Sequence, residues 1–417
     1  MDAVFTIVTK NYLPQARTLG DSIKNIHPDL AFHVLLADET EGLSSLTEEK
    51  YPVIEVKDIG VTAYLDMAFK YDLVEFCTAI KPFAFEYLFD RFGYQRILYF
   101  DPDIYVYASL NVILDLITDH FVVLTPHLTQ HDGTDGGTKP DDDFLRCGVF
   151  NLGFIGFNGS PKGRSLLSWW RTKTQVKGYA DFADGLYVDQ KWADFIPCFD
   201  DTGVCIARHP GFNVAHWNMH QRTLSKDTNR YLVNGQPLVF FHFSGFDPRK
   251  PDDITRPHGR GAVTLHGRPE YQELFEDYRG RLLGNGTDSV ADTYAYATFE
   301  NGVHIYGFQR RLYRKLTEQN TPFDNPFAIT PRSYYELLRT NKLLIGDTET
   351  KGEFRKSNIR NAEGKLRTLK KGMLLLKKVI GIRQYHLLLR TLKDLCRPEE
   401  QTFLLETPNV DLPTRFR

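Results

Sequence analysis

Two aspartates follow an apolar run, Ile97-Leu98-Tyr99-Phe100-Asp101-Pro102-Asp103. Side chains two apart in an extended segment point the same way, so Asp101 and Asp103 face one spot. Pro102 cannot donate to a strand ladder, which fits a strand ending there. Two close carboxylates repel unless a cation or a proton lies between them. A hard divalent cation with oxygen ligands relieves that repulsion and can also hold a diphosphate. His242 interrupts a second apolar run, Phe240-Phe241-His242-Phe243-Ser244-Gly245-Phe246. An imidazole joined to two carboxylates suits a manganese-like ion better than magnesium. Gly245 permits close backbone approach. Taken alone, an Asp-x-Asp is most often a surface turn or cap, and a lone histidine is most often a satisfied core residue. Asp101, Asp103 and His242 become a candidate metal set because each adjoins an apolar strand.

The elements that must position these groups alternate in type. Ala3–Val8 reads as a buried strand, followed by a helix from Asn11 to Ile26 with Pro14 in its first turn. Phe32–Ala37 is a second strand and Val53–Val56 a third. The spacing of Leu73, Phe76, Ile80, Ala84 and Leu88 predicts one helix, with Asp72 and Glu75 in a capping arrangement and Gly93 as its stop. Arg96–Phe100, His120–Thr125, Asn151–Phe157 and Leu238–Phe243 are further strands, with a helix over Arg164–Val176. Strands separated by helices predict an α/β fold with a mostly parallel sheet covered on both faces. Residues 126–146, rich in Gly and Asp, read either as a solvated acidic loop or as a lid facing the substrate. After about residue 250 helical patterns dominate, as in Tyr271–Leu283 and Tyr306–Leu316.

The composition fits a chain that can build such a core. Of 417 residues, 42% are hydrophobic and 25% charged, which excludes a long disordered chain, a collagen and a coiled coil. The net charge of -2 excludes attraction of nucleic acid by overall charge, and no nucleic-acid partner is expected. Aromatic residues make up 13%, which serves either large cores or stacking on bases and sugars. The five cysteines are odd in number and none forms a Cys-x-x-Cys pair, which argues against a disulfide framework or zinc site and for a reducing compartment. The apolar run at the N-terminus is too short for a leader, so the expected location is cytoplasmic. One region departs from neutrality. Residues 351–397 carry fourteen Lys/Arg against three Asp/Glu, interleaved with apolar residues. That pattern suits peripheral contact with an anionic membrane or a protein partner. The alternative is a helix packed on the domain with a solvated basic face.

The ordered motifs resemble the GT-A glycosyltransferases, closest to the retaining, glycogenin and galactosyltransferase-like group, glycosyltransferase family 8. Thr9-Lys10-Asn11-Tyr12-Leu13 resembles the segment that holds the nucleotide base. Lys81 occupies the place of a basic donor-binding residue before the Asp101-Pro102-Asp103 metal motif. Phe150-Asn151-Leu152-Gly153 resembles the Phe-Asn-Ser-Gly segment, and Val188-Asp189-Gln190 the Asp-Gln pair near the reacting sugar. Phe212-Asn213 resembles a later Asn-containing segment, and His242-Phe243-Ser244-Gly245 the His-x-x-Gly metal and phosphate motif. The family's following Lys-Pro-Trp has no counterpart in Phe246-Asp247-Pro248-Arg249-Lys250, where Arg249 or Lys250 offers a cation from a shifted position.

The resemblance covers about residues 1–250 and implies a fold and a site. It implies a GT-A domain over 1–250; outside it, the sequence pattern itself gives a helical extension over 251–345 and a basic amphipathic helical segment over 346–417. Asp101, Asp103 and His242 would hold Mn2+ (or Mg2+), and Thr9, Asn11 and Tyr12 the base and ribose. Lys81, Gly153, Gly245 and Arg249 would adjoin the donor, a nucleotide-diphosphate sugar with uridine the expected base. Asn151, Asp189 and Gln190 would face the sugar, which is moved to a glycan, glycolipid or protein acceptor. Retention of configuration would use Gln190 or Asp189 beneath the anomeric carbon, or front-face attack without a protein nucleophile. Two other readings remain. One is a HAD-like phosphatase, whose nucleophile also lies in an Asp-x-Asp after a strand. The other is a degenerate transferase acting as a scaffold.

Overall fold

The structure, a computed structural model, describes residues 1–41, 43, 49–131, 141–228, 230–255, 263–286, 294–318, 323–345 and 362–405. Its contacts divide the chain into two compact units. The first comprises Met1–Thr62 and Leu73–Ala295, the second Ala63–Asp72 and Tyr296–Arg417.

The first unit is built on a seven-stranded sheet. Its strands are β1 (Asp2–Val8), β2 (Ala31–Leu36), β3 (Val53–Glu55), β4 (Arg96–Phe100), β6 (Val122–Pro126), β7 (Phe150–Asn158) and β8 (Val204–Ile206), in the order β3-β2-β1-β4-β7-β6-β8. All neighbours pair in parallel except β7, which runs antiparallel to both β4 and β6. Helices cover both faces, which is why the strands are apolar almost throughout rather than alternating. On one face Val4 and Leu98 pack with Leu19 and Ile23 of α1 (Leu13–Ile26) and Ile113 and Ile117 of α5 (Asn111–Asp119). The neighbouring residue Phe5 points to the other face, as strand geometry requires. There its ring meets Phe85 of α4 (Lys81–Phe92) edge to face at 4.8 Å. Phe157 continues that layer to Trp170 of α7 (Pro161–Lys177). The expected α/β class with a mostly parallel sheet, and a helical C-terminal region after it, is borne out.

Two local expectations change. The single helix predicted over Leu73–Leu88 is two, α3 (Leu73–Ala79) and α4, broken at Ile80. The cause is Pro82, which has no N–H to continue a helix and sits instead in the first turn of α4. Glu75 accepts a hydrogen bond from the Ala180 N–H at 2.9 Å. Gly93 stops α4 in a left-handed conformation (φ 68°) as expected. The second change concerns the boundary near 250. Helix α8 (Gln272–Gly284) belongs with the first unit, because Tyr271, Phe275 and Tyr278 pack on Phe241 and Phe243. Compactness places one division of the chain near 295.

The second unit gathers α2 (Tyr64–Lys70), α9 (Gly307–Glu318), α10 (Tyr334–Thr340) and α11 (Ala362–Leu395). Phe69 of α2 lies among the rings of Phe299, Tyr313, Phe327 and Tyr334. Arg310 of α9 is buried and donates to the carbonyls of Phe69 and Tyr71 at 2.5 and 2.9 Å. It thus satisfies carbonyls that the end of α2 leaves without helical partners. No helix among the described residues is long and apolar enough to cross a membrane.

Candidate active site

Parallel pairing collects the candidate residues at one edge. The carboxyl ends of β1, β2, β4 and β6 lie together, and the antiparallel β7 contributes its start. Ligands of open α/β sheets sit at that edge. The chain then turns through Asp101, Pro102 and Asp103 into β5 (Ile104–Val106), which pairs with β12 (Phe240–His242) in a separate two-stranded ribbon. The register sets His242 opposite Ile104, and Phe243 N–H donates to the Asp103 carbonyl at 2.9 Å. This ribbon is what brings residues about 140 apart in sequence into one cluster.

Asp101, Asp103 and His242 each offer one ligand atom, all within 4.8 Å of one another. His242 Nε2 is 3.1 Å from an Asp103 oxygen and 3.7 Å from an Asp101 oxygen. Adjacent ligands of an octahedral ion with bonds of ~2.1 Å stand ~3 Å apart, so the spacing fits a divalent cation. Burial pulls the His242 imidazole down, but the Asp103 and Asp101 carboxylates overcome it and hold the ring above its ordinary value. Trp217 closes over the ring edge to face at 5.2 Å. Gly153 lies against the other side. A Cβ there would stand 2.7 Å from His242 Nδ1 and 2.8 Å from Asn151 Oδ1. A side chain at that position would displace the imidazole, which is the physical reason for glycine after Asn151-Leu152.

Behind Asp101 lies a buried ion pair. Lys81, the first residue of α4, reaches Asp189 at 3.0 Å and the Leu152 carbonyl at 2.8 Å. Its ammonium stands 3.9 Å from Asp101 and 4.5 Å from the centre of the Tyr99 ring. Tyr99 donates to Asp101 at 2.5 Å. Side-chain exposure is 2% for Lys81 and 1% for Asp189. Burial pushes the Asp189 carboxyl up to about 6 despite Lys81, which pulls it down, with the Asp101 charge adding to the rise. Asp189 precedes a 3-10 segment, Gln190–Cys198, yet its side chain does not cap it. Val188 before it has φ 42°, an uncommon conformation for a β-branched residue. The Trp170 indole N–H holds the Asp189 carbonyl at 3.2 Å. Gln190 is fully engaged with backbone, accepting from Leu152 N–H at 3.1 Å and donating to the Cys147 carbonyl at 2.9 Å.

Asn151 is the centre of a buried polar cluster. Its Oδ1 accepts from Gly153 N–H at 3.1 Å and from Asn213 Nδ2 at 3.0 Å, and its Nδ2 meets His127 Nε2 at 3.3 Å. Asn213 also donates to Thr125 at 2.8 Å. At the end of β1, Thr9 donates to Asn11 Oδ1 at 2.6 Å within the turn Lys10–Tyr12. Tyr12 is half-buried against the core. Gly245 adopts φ 75° after β12. Arg249 is different: it forms a fork on Asp247 at 2.9 and 3.1 Å with most of its side chain exposed. Part of the acidic loop predicted over 126–146 (132–140) lies outside the described residues, and Asp141–Cys147 forms helix α6.

Three neighbours of the site went unread in the sequence. Asp38 follows β2 and is buried, accepting from the Lys10, Glu39 and Ala295 N–H groups at 3.3, 2.9 and 3.0 Å. Burial raises its carboxyl above the ordinary value, with those donors and Lys10 pulling the other way. His127 follows β6. Both carry the signal that exposed Asp101, an ionisable residue directly after an apolar strand. Trp217 carries no such signal, because only the fold brings it to His242.

The fold and the cluster define an α/β protein with a candidate divalent-cation site at the carboxyl edge of its sheet. No protein-family model matches the chain. It is similar to the uncharacterised protein YfnF of Bacillus subtilis (strain 168), 28% identical over 66% of this chain and 90% of that one. Among solved structures, the galactosyltransferase LgtC in complex with donor and acceptor sugar analogues is similar over 67% of this chain and 95% of that one, at 21% identity and TM-score 0.39. The glycosyltransferase GlyE of Streptococcus pneumoniae TIGR4 is similar over 72% and 66%, at 16% identity and TM-score 0.39.

Proposed function

We propose that the chain is a metal-dependent glycosyltransferase that moves a sugar from a nucleotide-diphosphate sugar to a glycan, glycolipid or protein acceptor. The observation that carries this reading is the convergence of Asp101, Asp103 and His242 at the carboxyl edge of the sheet, with donor atoms within 4.8 Å. Two carboxylates and an imidazole are the donor set of a manganese-like ion. When bound, such an ion neutralises the charge that develops on the leaving diphosphate. Thr9, Asn11 and Tyr12 then hold the base and ribose, and the buried Asp38 carboxylate beside them suits a hydroxyl donor. Asn151 and Gly153 line the sugar, with the glycine holding the backbone close to His242.

The buried pairing refines the expected roles of Asp189 and Gln190. Asp189 is committed to Lys81, and both ends of the Gln190 amide are committed to backbone. Neither is presented as a free nucleophile, which supports front-face attack for a retaining reaction. Lys81 stands 3.9 Å from Asp101, and Asp189 fixes it there. Arg249, taken by Asp247, reaches a diphosphate only after leaving that partner.

The test is thermal stability with UDP, GDP, TDP and CDP, each with and without Mn2+. A ligand at 100 times its dissociation constant adds about 2.7 kcal/mol. Stabilisation by one nucleotide, only with metal and absent in Asp101→Ala/Asp103→Ala, is the expected result and names the base. No stabilisation by any nucleotide overturns the reading. Turnover of p-nitrophenyl phosphate would replace it with a phosphatase.

A further inference from the structure

Helix α11 carries the largest set of exposed hydrocarbon among the described residues. None of its described apolar side chains is buried, and Leu374, Leu375 and Val379 are 60%, 64% and 74% exposed. Over the same 34 residues there are nine Lys/Arg against Glu363 and Asp394. The two kinds of residue are sorted by helical position. Leu366, Leu369, Met373, Leu376 and Ile380 recur at alternating spacings of three and four, so they form one stripe. Arg367, Lys370, Lys371, Lys377 and Lys378 occupy the other arc with Leu374 among them, and Leu375 and Val379 lie between the two. Past residue 381 the pattern repeats, with Ile382, Tyr385, Leu389 and Leu392 on one side and Arg383 and Arg390 on the other.

The two stripes do not share a phase. At about 100° per residue, an unbroken helix would set them on nearly opposite sides. A flat surface would then meet only one of them. Gly381 interrupts the helix with φ 78° and ψ 161°, a conformation that L side chains rarely adopt. The break frees each half to turn its apolar stripe independently. The far end is fixed to the second unit, where Glu399 meets Arg314 at 3.2 Å and Asn341 reaches the Leu405 carbonyl at 3.4 Å.

We propose that α11 is a two-part interfacial anchor that lies on an anionic lipid bilayer, with both stripes in the acyl boundary and the basic arcs among the headgroups. Charge selects this occupant over the others. A second copy docked along the stripes would bury the leucines but leave both basic arcs facing water, matched by no anion. Nucleic acid would satisfy the cations and leave the leucines in water. An anionic bilayer takes both, and interfacial helices of this kind are rich in Lys and Arg with Leu on the other face. The helix lies on the membrane, since it is not apolar enough to span it. This inference is independent of the proposed transfer reaction.

The experiment is co-sedimentation of the full chain with vesicles of phosphatidylcholine alone, or with a quarter of the lipid replaced by phosphatidylglycerol. Binding is expected only with the anionic vesicles, and it falls steeply as salt rises. Lys370→Gln/Lys371→Gln/Lys377→Gln/Lys378→Gln weakens it by roughly 10²–10³-fold, about fivefold for each charge near the surface. Leu366→Ser/Leu369→Ser abolishes it with every cation in place. Gly381→Ala weakens it by joining the halves out of phase. Equal binding to neutral vesicles, absence of binding to anionic ones, or binding unchanged by all three variants overturns the proposal. So does a concentration-dependent dimer without vesicles that Leu366→Ser/Leu369→Ser dissolves, or equally tight binding to duplex DNA. All the substituted residues are exposed and outside the candidate site, so an unchanged thermal transition shows that each variant is folded.

Discussion

At the carboxyl edge of the sheet, Lys81, Asp189 and His242 are ionisable groups with almost no exposure. In α11, Leu374, Leu375 and Val379 are hydrocarbon with most of their surface exposed. Both regions invert the usual placement of charge inside and outside. They differ in what satisfies the inversion. Each buried group has a named partner within the chain, as Lys81 has Asp189 and His242 has Asp103. The exposed leucines of α11 have no such partner burying them among the described residues. The difference teaches where to look for a ligand. A paired buried charge is part of a site the chain builds itself, and uncovered hydrocarbon points to a surface that the chain does not supply.

The comparison breaks most decisively at the cation cluster. Asp101→Ala/Asp103→Ala is expected to lower transfer by at least ~10³-fold, measured by nucleotide release. Its thermal midpoint should fall, because the buried Tyr99 and His242 lose their acceptors, while the transition stays cooperative. Next is the buried pair. Lys81→Met removes the cation that holds the buried Asp189 carboxyl down, so Asp189 takes up a proton and loses its partner, at a loss of about 3 kcal/mol in urea unfolding. Lys81→Met/Asp189→Leu should recover most of that loss. If the double variant is no better than the single, the two residues are not coupled as a pair.

A smaller effect separates a structural buried group from the site. His33, in β2, bonds the Tyr94 hydroxyl at 2.7 Å and stacks on Phe92. Burial, helped by the Lys24 charge, lowers its imidazole to about 4. Between pH ~6.5 and ~4 the unfolded chain then binds a proton that the native chain does not. Stability is full above about 6.5 and falls by up to about 3 kcal/mol as the pH drops to 4. Unfolding curves across that window should show this slope, and His33→Phe should flatten it. The smallest effect belongs to α11. Leu366→Ser/Leu369→Ser should move stability by less than about 0.5 kcal/mol, since more than half of each side chain is exposed. A loss above 2 kcal/mol would show that the stripe is packed after all.

The strands and their ends were legible because a sheet covered on both faces leaves runs of apolar residues, and the ionisable residue that ends each run stands out. Asp101, Asp103 and His242 were found that way, and Asp38 and His127 could have been. Gly153 was legible as part of a motif, but its reason, the imidazole beside it, was not. The roles of Gln190 and Asp189 were hidden because hydrogen-bond partners such as Cys147, Leu152 and Lys81 lie 38 to 108 positions away. The split between α3 and α4 was missed because hydrophobic spacing continues across Pro82, where hydrogen bonding cannot. The assignment of α2 to the second unit was invisible for a related reason. Its packing residue, Phe69, meets rings more than 200 positions later.

That last feature also bears on the order in which the protein is made. The chain leaves its first unit at Thr62 and returns at Leu73. The rings that receive Phe69 and the guanidinium that caps α2 are synthesised only after the whole sheet. At ~5–20 residues per second, ten residues with an aromatic side chain wait more than ten seconds for their partners. A ribosome stalled near residue 295 would therefore present a sheet ready to fold beside a segment with nowhere to go, and that segment is where a chaperone would be expected to bind first.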